Sequence, residues 1–399
     1  MTDRPVLTLR PGQGRRLRAG APWVFSNEVV GQALPAGALV SIRGDDGVRF
    51  GTAIYNPHSL IAARLLDRDP AAAIDMAWFR ARFAAAAALR ARLGFGRFCR
   101  LVHAEADRLP GLVVDRFDDV LVVQANTAGM DALLEPITAA LLAEFSPRAV
   151  VARGDSAARR LEGLGEEVRL LHGTDAAGVV EEGGLRFPVD PLAGQKTGWF
   201  FDQRANRDLV AGLAAEARVL DVFCHTGGFG LRAAAAGAAS VTLIDSSAPA
   251  LAQAEAAAVG NGLAGVVAQR GDAFDLLAGM TEHYDIVVCD PPAFARSRKD
   301  AEGGLRAYAR LARLAAARVA PGGFLFMASC SHHAPLEAWA ARVAEGLWRA
   351  RRWGRIVATT GAGADHPVHP ALPETAYLKA QLIALDQPFT PPSVRPEVM

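Results

Sequence analysis

Between Val219 and Pro292 the chain alternates short apolar runs with alanine-rich stretches, and the runs close on or beside an acid. Three of these segments are Val219-Leu220-Asp221-Val222, Leu243-Ile244-Asp245 and Asp285-Ile286-Val287-Val288-Cys289-Asp290-Pro291-Pro292; a fourth reaches Gly271-Asp272-Ala273-Phe274. Continuous apolar runs separated by helical sequence predict a parallel sheet buried on both faces. Ligands of such sheets lie at the carboxyl ends of the strands. Phe324-Leu325-Phe326-Met327-Ala328 has the same buried-strand character and runs into Ser329-Cys330-Ser331.

The rest of the chain carries different periods. Trp23-Val24-Phe25, Leu39-Val40-Ser41-Ile42 and Ile61-Ala62-Ala63-Arg64-Leu65-Leu66 read as short strands between turn signals, which suggests a small β-barrel over 1–72. Residues 74–95 predict an alanine-rich helix. Strand-like runs at Gly111–Arg116 and Val120–Gln124, a helix around 130–144, Ala149-Val150-Val151-Ala152 and a hairpin over 179–190 complete a central α+β domain, 73–190. The alternating α/β pattern occupies 191–387, and a proline-rich extended tail follows over 388–399.

The first acidic run ends in Phe223-Cys224-His225-Thr226-Gly227-Gly228-Phe229-Gly230, a glycine-rich turn where a cofactor can lie against backbone N–H groups. The G-x-G-x-x-G spacing of a dinucleotide site is absent. An Asp closing the strand with Gly-Gly several residues on suggests S-adenosylmethionine (SAM) instead.

Length and composition narrow the setting. At 399 residues two or three domains are expected. No export signal and no uncharged apolar run long enough to span a bilayer is visible, so a cytoplasmic protein with no membrane contact is expected. Cys99, Cys224, Cys289 and Cys330 show no C-x-x-C spacing, so reduced thiols and no metal site are expected. Net charge is only +1, but arginines cluster at 10, 15, 16 and 18, at 296 and 298 beside Lys299, and at 349, 351, 352 and 355. Such local faces can hold phosphate without a high pI. Lysine occurs only at Lys196, Lys299 and Lys379, which hints at a chemical reason wherever it is kept.

Taken together these segments resemble the large-subunit ribosomal RNA cytosine-C5 methyltransferases of the RlmI type, over nearly the whole chain. At the front, Gly20-Ala21-Pro22-Trp23-Val24-Phe25 and Tyr55-Asn56-Pro57-His58-Ser59 are similar to that family's PUA domain, an RNA-binding module. The middle offers Leu101-Val102-His103-Ala104-Glu105-Ala106-Asp107 and Leu109-Pro110-Gly111-Leu112-Val113-Val114-Asp115. Later come Gln195-Lys196-Thr197-Gly198, Phe200-Phe201-Asp202-Gln203-Arg204, Asp290-Pro291-Pro292-Ala293-Phe294, Ser329-Cys330-Ser331 and Ala364-Asp365-His366-Pro367. The chain departs from the family pattern at Ala21, where histidine is usual, and at His332-His333, where glycine often follows Ser-Cys-Ser.

The resemblance implies a Rossmann-like class I SAM methyltransferase domain preceded by a PUA β-barrel and an α+β domain. It implies SAM as cofactor and RNA as partner, in 23S rRNA or a partly assembled large subunit, with a homodimer left open. Cytosine C5 is a poor nucleophile, so the chemistry needs a thiolate that adds to C6. Cys330 at a strand end is the nucleophile candidate, with His332 and His333 beside it; Asp290 is expected at the target base or the cofactor. Cys289 should point away from the Asp290 side chain by strand alternation. For SAM, Asp245 with Ser246 is expected at the ribose, Asp272 and Ala273 at the adenine. Asp221, Thr226, Gly227, Gly228 and Phe229 should line the methionine part, and Gln203 its amino-acid end. Lys196 is expected near the same mouth or on RNA phosphate. Two other functions compete: methylation of a base nitrogen, which needs no cysteine, and a non-catalytic RNA-binding assembly factor.

Overall fold

The computed structural model describes residues 4–192, 194 and 198–389. Lys196, its neighbours Gln195 and Thr197, and the tail from 390 lie outside the described residues. The chain forms two compact units: one holds Met1–Val180, Pro188–Phe201 and Ala364–Thr375, the other Glu181–Phe187, Asp202–Gly363 and Ala376–Met399.

The first unit carries two five-stranded sheets. The N-terminal sheet orders Val6–Thr8, Ala38–Arg43, Arg49–Tyr55, Ala63–Asp67 and Trp23–Val24 side by side. Its strand Arg49–Tyr55 escaped the sequence reading. The second sheet runs Phe98–His103, Leu112–Phe117, Val120–Ala125, Ala149–Arg153 and Val168–His172 in chain order, with helices Met76–Arg92 and Leu134–Phe145 beside each other. Asp75 caps the first helix by accepting the Trp78 N–H at 2.9 Å.

One core crosses from sheet to sheet. Ile54 and Leu66 of the N-terminal sheet are buried in the same cluster as Phe79, Phe83, Leu121 and Ile137. Glu162 fastens the join from inside. It accepts from Asn56 Nδ2 at 2.9 Å and Ser59 Oγ at 2.8 Å, and pairs with Arg64 at 2.9 Å. Trp23 Nε1 donates to Glu105 at 2.9 Å. So Trp23, Asn56 and Ser59, which carry the PUA resemblance, bind other parts of this unit.

A second buried network ties down 364–375. Arg90 forks onto Asp107 at 2.5 and 2.8 Å and donates to the Asp365 carbonyl at 2.9 Å. Asp365 accepts the Arg100 N–H at 3.0 Å and contacts His366 Nδ1 at 2.9 Å. The His103 and His366 rings lie 5.0 Å apart and tilted, and burial, with Arg100, His366 and Arg90 adding to it, holds the His103 pKa down at about 2. It stays neutral at physiological pH.

The second unit is built on seven strands: β1 Arg218–Val222, β2 Ser240–Asp245, β3 Val266–Arg270, β4 Tyr284–Cys289, β5 Val319–Ser329, β6 Arg352–Thr360 and β7 Lys379–Pro388. Their order is β3-β2-β1-β4-β5-β7-β6. The first five run parallel, and β7 lies antiparallel between β5 and β6. The helices are α1 Arg204–Ala211, α2 Gly228–Ala235, α3 Ala248–Gly260, α4 Ala273–Gly279, α5 Ala301–Ala316 and α6 Leu336–Arg349. The core is the apolar middle of the strands, Leu220, Val287, Leu325 and Met327, closed by Leu311, Tyr308 and Trp339. The strand order reverses beside β1, so a crevice opens at the carboxyl ends of β1 and β4.

One basic cluster is misread by sequence. Arg352 is buried, and its guanidinium donates to the carbonyls of Ala316 at 2.9 Å, Val319 at 2.6 Å and Asp386 at 2.9 Å. It holds β6 to the sheet and is not available to phosphate.

Candidate active site

The turn after β1 is where the chain gives up regular geometry. Phe223 and His225 take φ values of 63° and 51°, and Gly227 takes 79°. Left-handed backbone is costly for a non-glycine residue, so this turn is held by its surroundings. Cys224 N–H donates to the Ile244 carbonyl at 3.0 Å, and His225 N–H donates to Asp245 Oδ2 at 2.9 Å. Gly227 then starts α2. A side chain at Gly230 would strike Leu243 at 2.3 Å, so α2 approaches the sheet as closely as glycine permits.

Asp221 sits under this turn, 1% exposed. Its Oδ2 accepts the Gly230 N–H at 2.8 Å, while Oδ1 is buried with no hydrogen-bond partner among the described residues. Burial lifts its pKa to about 7 against the Gly230 bond, and Asp290 and Asp245 add to the rise. Three carboxylates thus converge at the ends of β1, β2 and β4. Such a site favours a cation, and SAM carries two, a sulfonium without donors and an ammonium that brings its own. The orphaned Oδ1 calls for such a donor.

The other residues expected at the cofactor have distinct structural surroundings. Asp245 ends β2, spending one oxygen on His225 N–H and the other on Ser247 N–H at 2.8 Å, and Ser246 beside it is exposed. Asp272 caps α4: its Oδ1 accepts from Phe274 and Asp275 N–H at 2.9 and 3.1 Å. The sequence placed it at a strand tip; β3 instead ends at Arg270. Ala273 is buried in the first turn of α4. Between α4 and the β1 turn, half-buried Phe223, Phe274 and Phe294 meet with ring centroids 5.9 to 6.5 Å apart. They offer apolar surface fit for a flat ring. Thr226 is buried beside His225 Nδ1 at 3.3 Å. The Phe229 ring is committed to packing on Phe326 at 5.2 Å, so only its backbone belongs to the turn. Gln203 is buried, and its Oε1 accepts from Asn206 Nδ2 at 2.6 Å. Asn206 in turn accepts from Thr360 Oγ1 at 2.6 Å and donates to the Gly361 carbonyl.

The four cysteines separate by burial. Cys99, Cys224 and Cys289 are buried; Cys330 is partly exposed. Burial, then the nearby carboxylates, push the Cys224 and Cys289 thiols well above the usual range, so both stay protonated. Cys330 follows β5 between two serines that face inward. Ser329 Oγ lies 2.8 Å and Ser331 Oγ 3.0 Å from the Tyr308 hydroxyl, and Ser331 Oγ accepts the Ala295 N–H at 3.1 Å. With both neighbours turned in, alternation carries Cys330 to the other side. His332 and Tyr377 rings lie 5.7 Å apart, and crowding by protein, then Lys379 and His333, hold the His332 pKa below its ordinary value. The exposed run Arg296, Arg298 and Lys299 follows the Asp290-Pro291-Pro292 turn.

Sequence reading missed Tyr308, Asn206 and the role of Lys379, which is buried at the start of β7. A lone lysine inside the apolar run Leu378-Lys379-Ala380-Gln381-Leu382-Ile383 was the available signal.

A seven-stranded sheet in this order, with acids gathered at the ends of β1, β2 and β4, defines a Rossmann-like class I SAM-dependent methyltransferase. Residues 123–338 match the family model described as S-adenosylmethionine-dependent methyltransferase, and residues 7–68 match a PUA-like domain. Curated proteins of Shewanella denitrificans and Shewanella frigidimarina, both called ribosomal RNA large subunit methyltransferase I, are 36% and 35% identical over 387 residues, covering 94% of this chain and 97% of theirs. The chain belongs to that SAM-dependent methyltransferase family. Solved structures agree in fold. A Streptococcus mutans chain assigned to the SAM-dependent methyltransferases aligns over 95% of this chain and 100% of its own, with TM-score 0.80 at 20% identity. A methyltransferase-class structure complexed with SAH covers the same shares at TM-score 0.82, again at 20% identity. Among the described residues no helix is long and apolar enough to cross a membrane.

Proposed function

We propose that this protein methylates large-subunit ribosomal RNA and forms 5-methylcytosine through a covalent adduct on Cys330. The observation that carries the chemistry is the contrast among cysteines. Three are buried, and the partly exposed one lies at the carboxyl end of β5, in the strand-end region where such folds place substrate. The curated relatives' name supplies the RNA class.

In this reading the Cys330 thiolate adds to C6 of cytosine and electron density moves to C5. SAM supplies the electrophilic methyl group and leaves as SAH. A base then takes the C5 proton, and the C6–S bond breaks to restore the ring and free the thiolate. Asp290 holds the base at N3, where a carboxylate favours the protonated ring and eases the addition. Asp245 accepts from the ribose, and Phe223, Phe274 and Phe294 hold the adenine. Asp221 and Gln203 face the methionine end. Residues 1–72 and the exposed Arg296, Arg298 and Lys299 grip phosphate, so that a base can be drawn out of its stack.

The test is a 5-fluorocytosine RNA, whose fluorine cannot leave as the C5 proton does. A SAM-dependent protein–RNA adduct should form, and it should vanish in Cys330→Ala while SAM still binds. Methyl found on a ring or exocyclic nitrogen, with no adduct, would reject the covalent reading in favour of nitrogen methylation.

A further inference from the structure

The arginine cluster at 349–355 splits in the structure: Arg352 goes into the interior, while Arg349, Arg351 and Arg355 stay exposed. They flank an aromatic triad. Trp348 in the last turn of α6, Trp353 at the start of β6 and Phe389 just after β7 meet with ring centroids 4.9 to 5.9 Å apart. The two tryptophans are 56% and 57% exposed. The turn that joins α6 to β6 is held in place. Arg351 takes a left-handed φ of 57°, costly for a residue with a side chain, and its carbonyl accepts the Phe389 N–H at 2.9 Å. Glu345 pairs with Arg349 at 2.6 Å and Asp386 pairs with Arg355, both at the surface, where such pairs contribute little and give way to another anion. Arg351 is in no ion pair among the described residues. The triad lies at the far end of the sheet from the crevice. Arg352 is opposite Pro388, whereas Ser329, at the end of β5, is opposite Lys379. The length of β7 between those two rungs is about 30 Å.

We propose that this patch is a second RNA-binding surface, which holds a single-stranded segment of the substrate remote from the target base. Bases stack on Trp348 and Trp353, and phosphates lie on Arg349, Arg351 and Arg355. Exposed aromatic faces interleaved with arginines have the chemistry that single-stranded RNA needs, since every base has a flat face to stack and every phosphate a charge to pair. A second copy of this chain fits less well. β6 is the outer strand of the sheet, but its register shifts between Arg352 and Gly354 and again between Ile356 and Ala358, and Arg355 puts a charge on it. Bulges and charges of this kind keep edge strands from pairing. A two-fold contact would also turn these arginines towards themselves. The inference rests on RNA being the substrate, and it adds a grip at the opposite end of the catalytic sheet from Arg296, Arg298 and Lys299.

The probe is a fluorescein-labelled, unstructured single-stranded RNA with 4-thiouridine in place of uridine. Photocrosslinking to the full-length wild type, followed by peptide mass spectrometry, should place adducts within 348–355 or on Phe389, and it needs no variant to fold. By fluorescence anisotropy the double variant Trp348→Ala, Trp353→Ala should raise the Kd for this RNA roughly tenfold or more, while calorimetry finds SAM affinity unchanged. Arg351→Gln should lower the slope of log Kd against log salt by about 0.7, the share of one phosphate contact on a single strand. No adduct in these segments, together with an unchanged Kd in the tryptophan variant, would overturn the proposal. So would an unchanged Kd accompanied by a change from dimer to monomer in light scattering, which would make the patch an interface between copies. An unchanged Kd with tryptophan quenching by acrylamide that rises when 390–399 are removed would also overturn it, and give the patch to that segment. A wild type that binds RNA and forms 5-methylcytosine, with a tryptophan variant that binds equally well, rejects this surface alone. Adducts at the patch with methyl on a base nitrogen retain the surface and reject the cytosine reading. A wild type with no RNA affinity rejects both.

Discussion

Gly230 donates its backbone N–H to Asp221 Oδ2 at 2.8 Å, so one carboxylate oxygen anchors the first turn of α2 and the other is left buried without a partner among the described residues. In the proposed reading that division shapes the cofactor site. The anchored oxygen shapes the glycine-rich turn, and the orphan is a standing demand for a donor.

The first prediction concerns the proton on Asp221. Its folded pKa is about 7 against a reference of 3.8. A raised folded pKa means the folded state holds the proton more tightly. The stability it contributes is complete below pH 3.8 and is lost as pH rises through about 7. Asp221→Asn should flatten the pH dependence of stability over that window, and urea midpoints at pH 5 and pH 8 would show it. A cationic ligand should bind better once Asp221 is ionised. Calorimetry should therefore find SAM affinity rising from pH 5 towards pH 8 in the wild type and nearly level in Asp221→Asn. A level wild-type profile would remove Asp221 from the methionine site.

A second prediction tests the bracket around Cys330. Tyr308 is fully buried, and its hydroxyl meets Ser329 Oγ and Ser331 Oγ. Tyr308→Phe leaves two buried serine hydroxyls short of a partner, at a cost of about 1–3 kcal/mol in stability. Because the serines fix the direction of Cys330, kcat should fall while the Kd for SAM holds steady. Equal loss in both would mean that Tyr308 supports the whole pocket.

What the sequence made legible was local. The β1 turn, the Asp-Pro-Pro segment and Ser329-Cys330-Ser331 each lie within a dozen residues, and periodicity with turn chemistry placed all three at strand ends. What it hid depends on distance. Lys379 comes opposite Ser329 and reaches the Ser331 carbonyl only because β7 pairs with β5, and nothing near Lys379 in sequence announces that ladder. Asp272 reads as a strand-tip acid, yet its neighbours Phe274 and Asp275 turn it into a helix cap. Arg352 belongs to a basic cluster in sequence and to the interior in space. Charge can be counted along a chain; burial cannot. The N-terminal boundary shows the same limit, since Ile54 and Leu66 lie in the core of the following segment.

That shared core makes the last prediction. Glu162 is buried beneath Asn56, Ser59 and Arg64, and the Ala128 N–H also points at it, at 3.3 Å. Burial alone would raise its pKa, but Arg64 and these hydrogen bonds outweigh that and hold it below the ordinary value. A depressed folded pKa gives stability that is present above the unfolded value of 4.5 and lost as pH falls through the folded one. Glu162→Ala removes the anion but leaves the partly buried Arg64 and the buried Asn56 without it, so it should cost about 3–5 kcal/mol. Glu162→Gln, which keeps an acceptor for Asn56, should cost less. In both variants the acid limb of the pH–stability curve should flatten, because the proton uptake that weakens the wild type has been removed. Thermal unfolding of the full chain at pH 4 and pH 7 would show the difference. If Glu162→Ala melts with the wild type at pH 7, the N-terminal sheet is held by its apolar contacts alone, and Asn56 and Ser59 must be kept for another reason.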